Sequence, residues 1–157
     1  MPEPQLAVIR KYIEAEKPVL GIRTASHAFQ NYPIDDEVFC GSYSGHDNDE
    51  PVDVKIADDA TKHPILEQVE AWTRKGKLYH NRKLGENTTL LLSGTGKKSD
   101  LHEPLAWTHT YGKNGRVFYT SMGYPDDFKN QDFRQLLLNA IEWTTEHKLE
   151  KKPSPAK

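Results

Sequence analysis

Leu6, Ile9 and Ile13 recur near the start of the chain at the spacing that gathers apolar side chains on one face of a helix. Pro4 fits a first helical turn and Pro18 ends the run, so residues 4–16 are predicted to form an amphipathic helix. The block PVLGI at residues 18–22 follows at once. It is short, apolar and bounded by turn formers, which predicts a strand buried on both faces. Small residues over 23–29 then lead into a second expected helix. Helix, buried strand, sharp turn and helix, in that order, specify an α/β sheet.

The middle is less regular, and a loop is expected over residues 31–50. Val52, Val54 and Ile56 alternate with polar residues and predict a strand, while Pro64, Ile65 and Leu66 open a short helix with Thr61 or His63 near its cap. Further strands are predicted over 76–80, 88–93, 104–111 and 116–121, the last two joined into a hairpin by the turn GKNG. Phe133, Leu136, Leu137, Ala140 and Ile141 repeat at helical intervals behind Asn130, a good N-cap, and predict a core-facing helix.

A length of 157 residues suits one domain, taken as residues 1–147, followed by a basic, proline-bearing tail over 148–157 expected to be disordered. The 21 Lys and Arg against 23 Asp and Glu leave a net charge of -2, which gives no electrostatic reason to expect nucleic acid or an anionic membrane as partner. No apolar stretch approaches the roughly 18 residues a membrane span needs. The N-terminus lacks the pattern of a signal peptide, so the cytoplasm is the expected compartment unless a region upstream carries an export signal. The single cysteine, Cys40, excludes an intramolecular disulfide and any multi-cysteine zinc site.

Three motifs imitate chemistry without meeting its requirements. SGTGKKS at 93–99 looks like a phosphate loop, but Leu91 stands where the first glycine belongs and Lys98 where Ser or Thr must follow Lys97. Asp47, Asn48 and Asp49 begin like a calcium loop, yet Val52 occupies the position of its required glycine, so a solvated acidic turn is expected. Cys40 has no histidine placed beside it by any local pattern and reads as a small buried hydrophobe. The strand-to-helix turn at 23–27 is different. Ligands in open α/β sheets gather outside the carboxyl ends of strands, which makes Arg23 and His27 candidates. The bland alternative pairs Arg23 with a surface carboxylate and uses His27 to cap or pack the helix.

These residues carry a resemblance as well. PVLGIRTASHAF (18–29), VFCGSYSGH (38–46), HP (63–64), PLAWT (104–108), GRVFYT (115–120) and GYPDDF (123–128), with a closing helix over 133–143, resemble in order the ThuA-like, or trehalose-utilisation, family. The resemblance implies a flavodoxin-like α/β three-layer sandwich of the class I glutamine amidotransferase-like type. Members usually carry further strands ahead of the segment matching 6–22, so this chain is expected to lack the N-terminal strands and to expose an apolar sheet edge prone to association, including homo-oligomers.

True glutamine amidotransferases place a nucleophilic Cys at the turn after the strand resembling 19–22, where this chain has Arg23, and a His-Pro-Glu stretch where it has Tyr124, Pro125 and Asp126. A guanidinium that stays protonated cannot attack a carbonyl, and an unshifted tyrosine is no base at neutral pH, so thioester hydrolysis of glutamine is excluded as an expectation. Many members of the family have His at both positions. What remains suits a small polyhydroxylated carbohydrate: Arg23 and Asp126 offer directional hydrogen bonds, and Tyr43, Trp107 and Tyr124 offer flat faces with polar edges. His27 and His46 match the family and are the candidates for proton transfer, with Arg23 stabilising developing negative charge. Two alternatives stay open. One is a non-catalytic binding module that keeps the fold after losing the chemistry. The other is a metal-dependent hydrolase using a divalent ion, with Asp36 and Asp126 completing a histidine shell, although no two histidines have a diagnostic close spacing. His63, His80, His102, His109 and His147 are read as structural or exposed.

Overall fold

A computed structural model describes residues 2–28, 32, 34–41, 43–81 and 83–149. The first helix, α1 (Glu3–Glu14), turns Leu6 inward and stops before Pro18, as its apolar spacing requires. Strand β1 (Val19–Ile22) pairs in parallel with β8 (Gly115–Thr120). From β8 the sheet continues, antiparallel throughout, through β7 (His102–Tyr111), β6 (Thr88–Gly96) and β3 (Glu50–Ile56) to β4 (Trp72–Gly76). Two short strands, β2 (Tyr43–His46) and β5 (Tyr79–Asn81), form a separate antiparallel ribbon. The closing helix α2 spans Gln131–Thr145.

Alternation along the strands gives the sheet two covered faces, and so three layers. Leu20, Val52, Val54, Leu92 and Phe118 face one core, which α2 closes with Phe133, Leu136 and Ala140. Val19, Trp107, Val117 and Tyr119 face the other, closed by Ile13 of α1 and by Val38 and Phe39 from a wide helical turn at Asp35–Phe39. Gly21 is needed between these layers, because a Cβ there would stand 2.5 Å from the Phe39 ring. Strand β1 lies at one edge of the sheet and β4 at the other. Among the described residues no helix is long and apolar enough to cross a membrane.

Several expectations need correction. The second helix is a single 3-10 turn, Arg23–His27. Arg23 has a left-handed backbone (φ 52°) that no right-handed helix accepts, and its carbonyl receives the Tyr119 hydroxyl at 2.7 Å instead of a helical amide. The expected loop over 31–50 contains strand β2. The strand expected over 76–80 is two: β4 ends at Gly76 and β5 begins at Tyr79. The disordered tail was expected over 148–157, of which 150–157 lie outside the described residues, as do Phe29 and Ser42.

Candidate functional site

Because β1 and β8 run parallel with Ile22 beside Thr120, both chains leave the sheet at the same end. The segment after β1 brings Arg23 and His27 there, and the segment after β8 brings Gly123, Tyr124 and Asp127. Gly123 (φ 130°) lets the two segments approach, since a Cβ on it would stand 2.6 Å from Ile22 Cγ2 and 3.4 Å from the Arg23 side chain.

A column of alternating cations and rings results. The Arg23 guanidinium carbon sits 4.0 Å from the centroid of Tyr124 and 4.9 Å from that of Tyr79, and the Arg74 guanidinium carbon lies 5.5 Å from the centroid of Tyr124. Arg74, on β4, is held by a buried two-pronged ion pair with Asp127 at 2.8 and 2.9 Å. Asp127 Oδ2 also accepts from the backbone N–H of Gly123 at 2.8 Å and of Tyr124 at 2.7 Å. The Tyr124 hydroxyl donates to Asp49 at 3.0 Å. Tyr124 is therefore fixed at its backbone, its ring and its hydroxyl.

Beside the column stands a ring cluster supplied by the β2–β5 ribbon. His27 stacks on Tyr43 at 4.4 Å, Tyr43 lies 4.7 Å from Tyr79, and His46 stacks against Tyr79 at 6.0 Å. Ribbon pairing explains this, because His46 and Tyr79 are cross-strand partners and project to one side. His46 Nδ1 lies 3.1 Å from the Asp47 carbonyl and Nε2 lies 3.5 Å from Lys77 Nζ. With Nδ1–H donating to the carbonyl, Nε2 carries the lone pair and accepts from the ammonium. Tyr79 is buried, which pushes its phenol above the usual range despite the opposing charge of Arg23, and keeps it a neutral donor.

Arg23, His27, Tyr43, His46 and Tyr124 thus come together. Trp107 and Asp126 do not. Trp107 is fully buried in the second core, its Nε1–H donating to the Phe39 carbonyl at 2.7 Å, so its face is covered by Tyr119 and other core side chains. Asp126 is exposed and paired with Lys129 at 2.6 Å, which holds its carboxyl below the usual range. It lines a cleft of 340 Å³ with Trp72, Lys75 and Lys129, walled by the Arg74–Asp127 pair. A depression of 250 Å³ beside the end of α2 has Arg116 and Lys148 already paired with Glu146 and Glu142.

Sequence reasoning missed Tyr79, Arg74, Asp127 and Lys77. The adjacent pair Asp126 and Asp127 gave no local reason to prefer the second. Asp36 is exposed in the Asp35–Phe39 turn, and among the described residues no three His, Cys, Asp or Glu side chains are grouped as a metal shell requires. Cys40 lies elsewhere, its thiol 3.7 Å from the Glu86 carbonyl.

In a crystal structure described as that of a ThuA-like protein from Parabacteroides merdae ATCC 43184, 68% of that chain superposes on 97% of this one with a TM-score of 0.76 and 20% identity. A glutamine amidotransferase from Thermotoga maritima aligns over 92% of this chain and 70% of its own, with a TM-score of 0.53 and 14% identity. These likenesses establish the fold, a glutamine amidotransferase-like α/β sandwich. No curated protein matches the chain. The family model ThuA, described as trehalose utilisation, matches residues 1–144, and the chain belongs to that family.

Proposed function

We propose that this protein serves carbohydrate utilisation by binding or transforming a polyhydroxylated small molecule at the bend after β1, with no glutamine amidotransferase activity. The observation that carries this reading is the convergence of Arg23, His27, Tyr43, His46, Tyr79 and Tyr124 at the shared carboxyl end of the only parallel strand pair among the described residues. Flat rings with polar edges suit the two-faced character of a sugar, apolar across its C–H faces and polar around its rim. The family description, trehalose utilisation, supports the same substrate class.

In the catalytic step, His46 Nε2 or the imidazole of His27 moves the proton, and Arg23 stabilises negative charge that develops on oxygen. Glutamine hydrolysis lacks its nucleophile, since the bend carries a guanidinium. Thermal-shift and calorimetric screening against mono- and disaccharides and their keto derivatives tests the reading. At about 100 times the dissociation constant, ligand linkage adds roughly 2.7 kcal/mol, and so raises Tm by several degrees. Arg23→Ala and His46→Ala are expected to weaken that response. Silence from the wild type, or an undiminished response from both variants, removes the proposal. Turnover lost in His46→Ala while binding persists identifies an enzyme; a bound sugar recovered unchanged from the wild type identifies a binding module.

A further inference from the structure

Arg23 lies against two rings, and its hydrogen-bonding edge is left without a partner. Arg10, Arg74 and Arg116 each pair with a carboxylate, and Arg134 donates to two backbone carbonyls. Arg23, by contrast, donates to no carboxylate or carbonyl among the described residues, and its Nη1 is buried without a partner. The rings of Tyr79 and Tyr124 attract the cation, but they offer no acceptor to its in-plane N–H bonds. A desolvated donor with no acceptor is costly, and the nearby carboxylates among the described residues are engaged elsewhere. Asp47 is taken by His80, Asp49 by Tyr124, and Asp127 by Arg74. Lys77 is a second cation with no carboxylate partner among the described residues, set against His46 at the far side of the ring cluster.

We propose that the ligand of this site is a sugar acid, a polyhydroxylated molecule whose carboxylate is held by the in-plane N–H groups of Arg23 while the half-buried ring of Tyr43 underlies its carbon skeleton. This deepens, and rests on, the carbohydrate reading above. A planar fork held against two rings matches the two oxygens of a carboxylate. A sugar phosphate presents related oxyanion chemistry, and the test separates the two.

Titration calorimetry of the full chain compares glucose, glucuronate, glucose 6-phosphate and acetate at low and high salt. Glucuronate is expected to bind at least about tenfold more tightly than glucose, an advantage that shrinks as salt rises. Arg23→Gln is expected to bring the ratio of the two affinities towards one, and Arg23→Lys to restore part of it, with a cooperative melt confirming that each variant folds. Glucuronate binding no better than glucose, or a ratio unchanged in Arg23→Gln, overturns the sugar-acid assignment and leaves neutral-sugar binding standing. Glucose 6-phosphate binding more tightly than glucuronate overturns it in favour of a phosphate. Acetate binding as tightly as glucuronate, or silence from all four, overturns the carbohydrate reading as well.

Discussion

Arg23 and Tyr124 rest against each other, the guanidinium carbon 4.0 Å from the ring centroid. A guanidinium over a phenol ring gains about 0.5–2 kcal/mol depending on exposure, so the two side chains form one unit. That unit depends on Asp127, which is 3% exposed and ties Arg74, Gly123 and Tyr124 together. Removing one partner of a buried pair leaves the other charge uncompensated, at roughly 3–5 kcal/mol. Asp127→Ala should therefore lose that much in urea denaturation, and the double variant Arg74→Met with Asp127→Asn, which removes both charges and keeps an acceptor for the Gly123 and Tyr124 amides, should recover much of it. A loss below about 1 kcal/mol in Asp127→Ala would show that the pair does not hold the column. At this scale the sequence made the bend legible, because Arg23, His27 and His46 sit in recognisable blocks. Asp127 and Tyr79 stayed hidden, since their roles depend on strands that meet only in the fold.

Elements with apolar periodicity were legible, and those organised by polar groups were not. Helix α2 follows its pattern, and Asn130 caps it by accepting from the Phe133 amide at 2.9 Å. Asn130→Ala should cost about 1 kcal/mol, read as a lower urea midpoint with unchanged slope; no change would mean that packing of Phe133 alone fixes the start. Strand β4 escaped notice because its central inward residue is Arg74, between Trp72 and Gly76, and an apolar alternation cannot register an arginine that is buried by pairing. The loop resembling a phosphate site proves to be filled by the protein itself. Glu50, at the start of β3, accepts from the amides of Lys98 at 2.6 Å and Ser99 at 3.2 Å and from the Ser99 hydroxyl at 2.6 Å. The Ser99 hydroxyl and the Lys98 amide hold the Glu50 carboxyl below the usual range. The glycines and lysines of that motif therefore shape a carboxylate nest joining β3 to the β6–β7 turn.

Across the whole molecule the second core and the site share one residue. Tyr119 packs against Phe39 and Trp107, while its hydroxyl donates to the Arg23 carbonyl at 2.7 Å and lies 3.1 Å from Ser26 Oγ. Burial pushes its phenol up to about 12, and the same cause takes Tyr111 to about 12. The neutral phenol is thus favoured in the fold, whereas the unfolded chain ionises from about pH 10. Their stabilising contribution is complete below pH 10 and is lost as pH rises from there through 12. Lysines titrate in the same window, so the wild type alone cannot assign the effect. Tyr119→Phe keeps the ring and removes the ionisable group. It should be less stable than wild type at pH 8, where the hydroxyl bond to the Arg23 carbonyl is lost, and its urea midpoint should fall less steeply above pH 10. Parallel midpoint curves for the two proteins between pH 9 and 11 would mean that the Tyr119 phenol ionises alike in the folded and unfolded chain, and so is not raised by burial, while equal midpoints at pH 8 would mean that the bend holds without the Tyr119 hydroxyl.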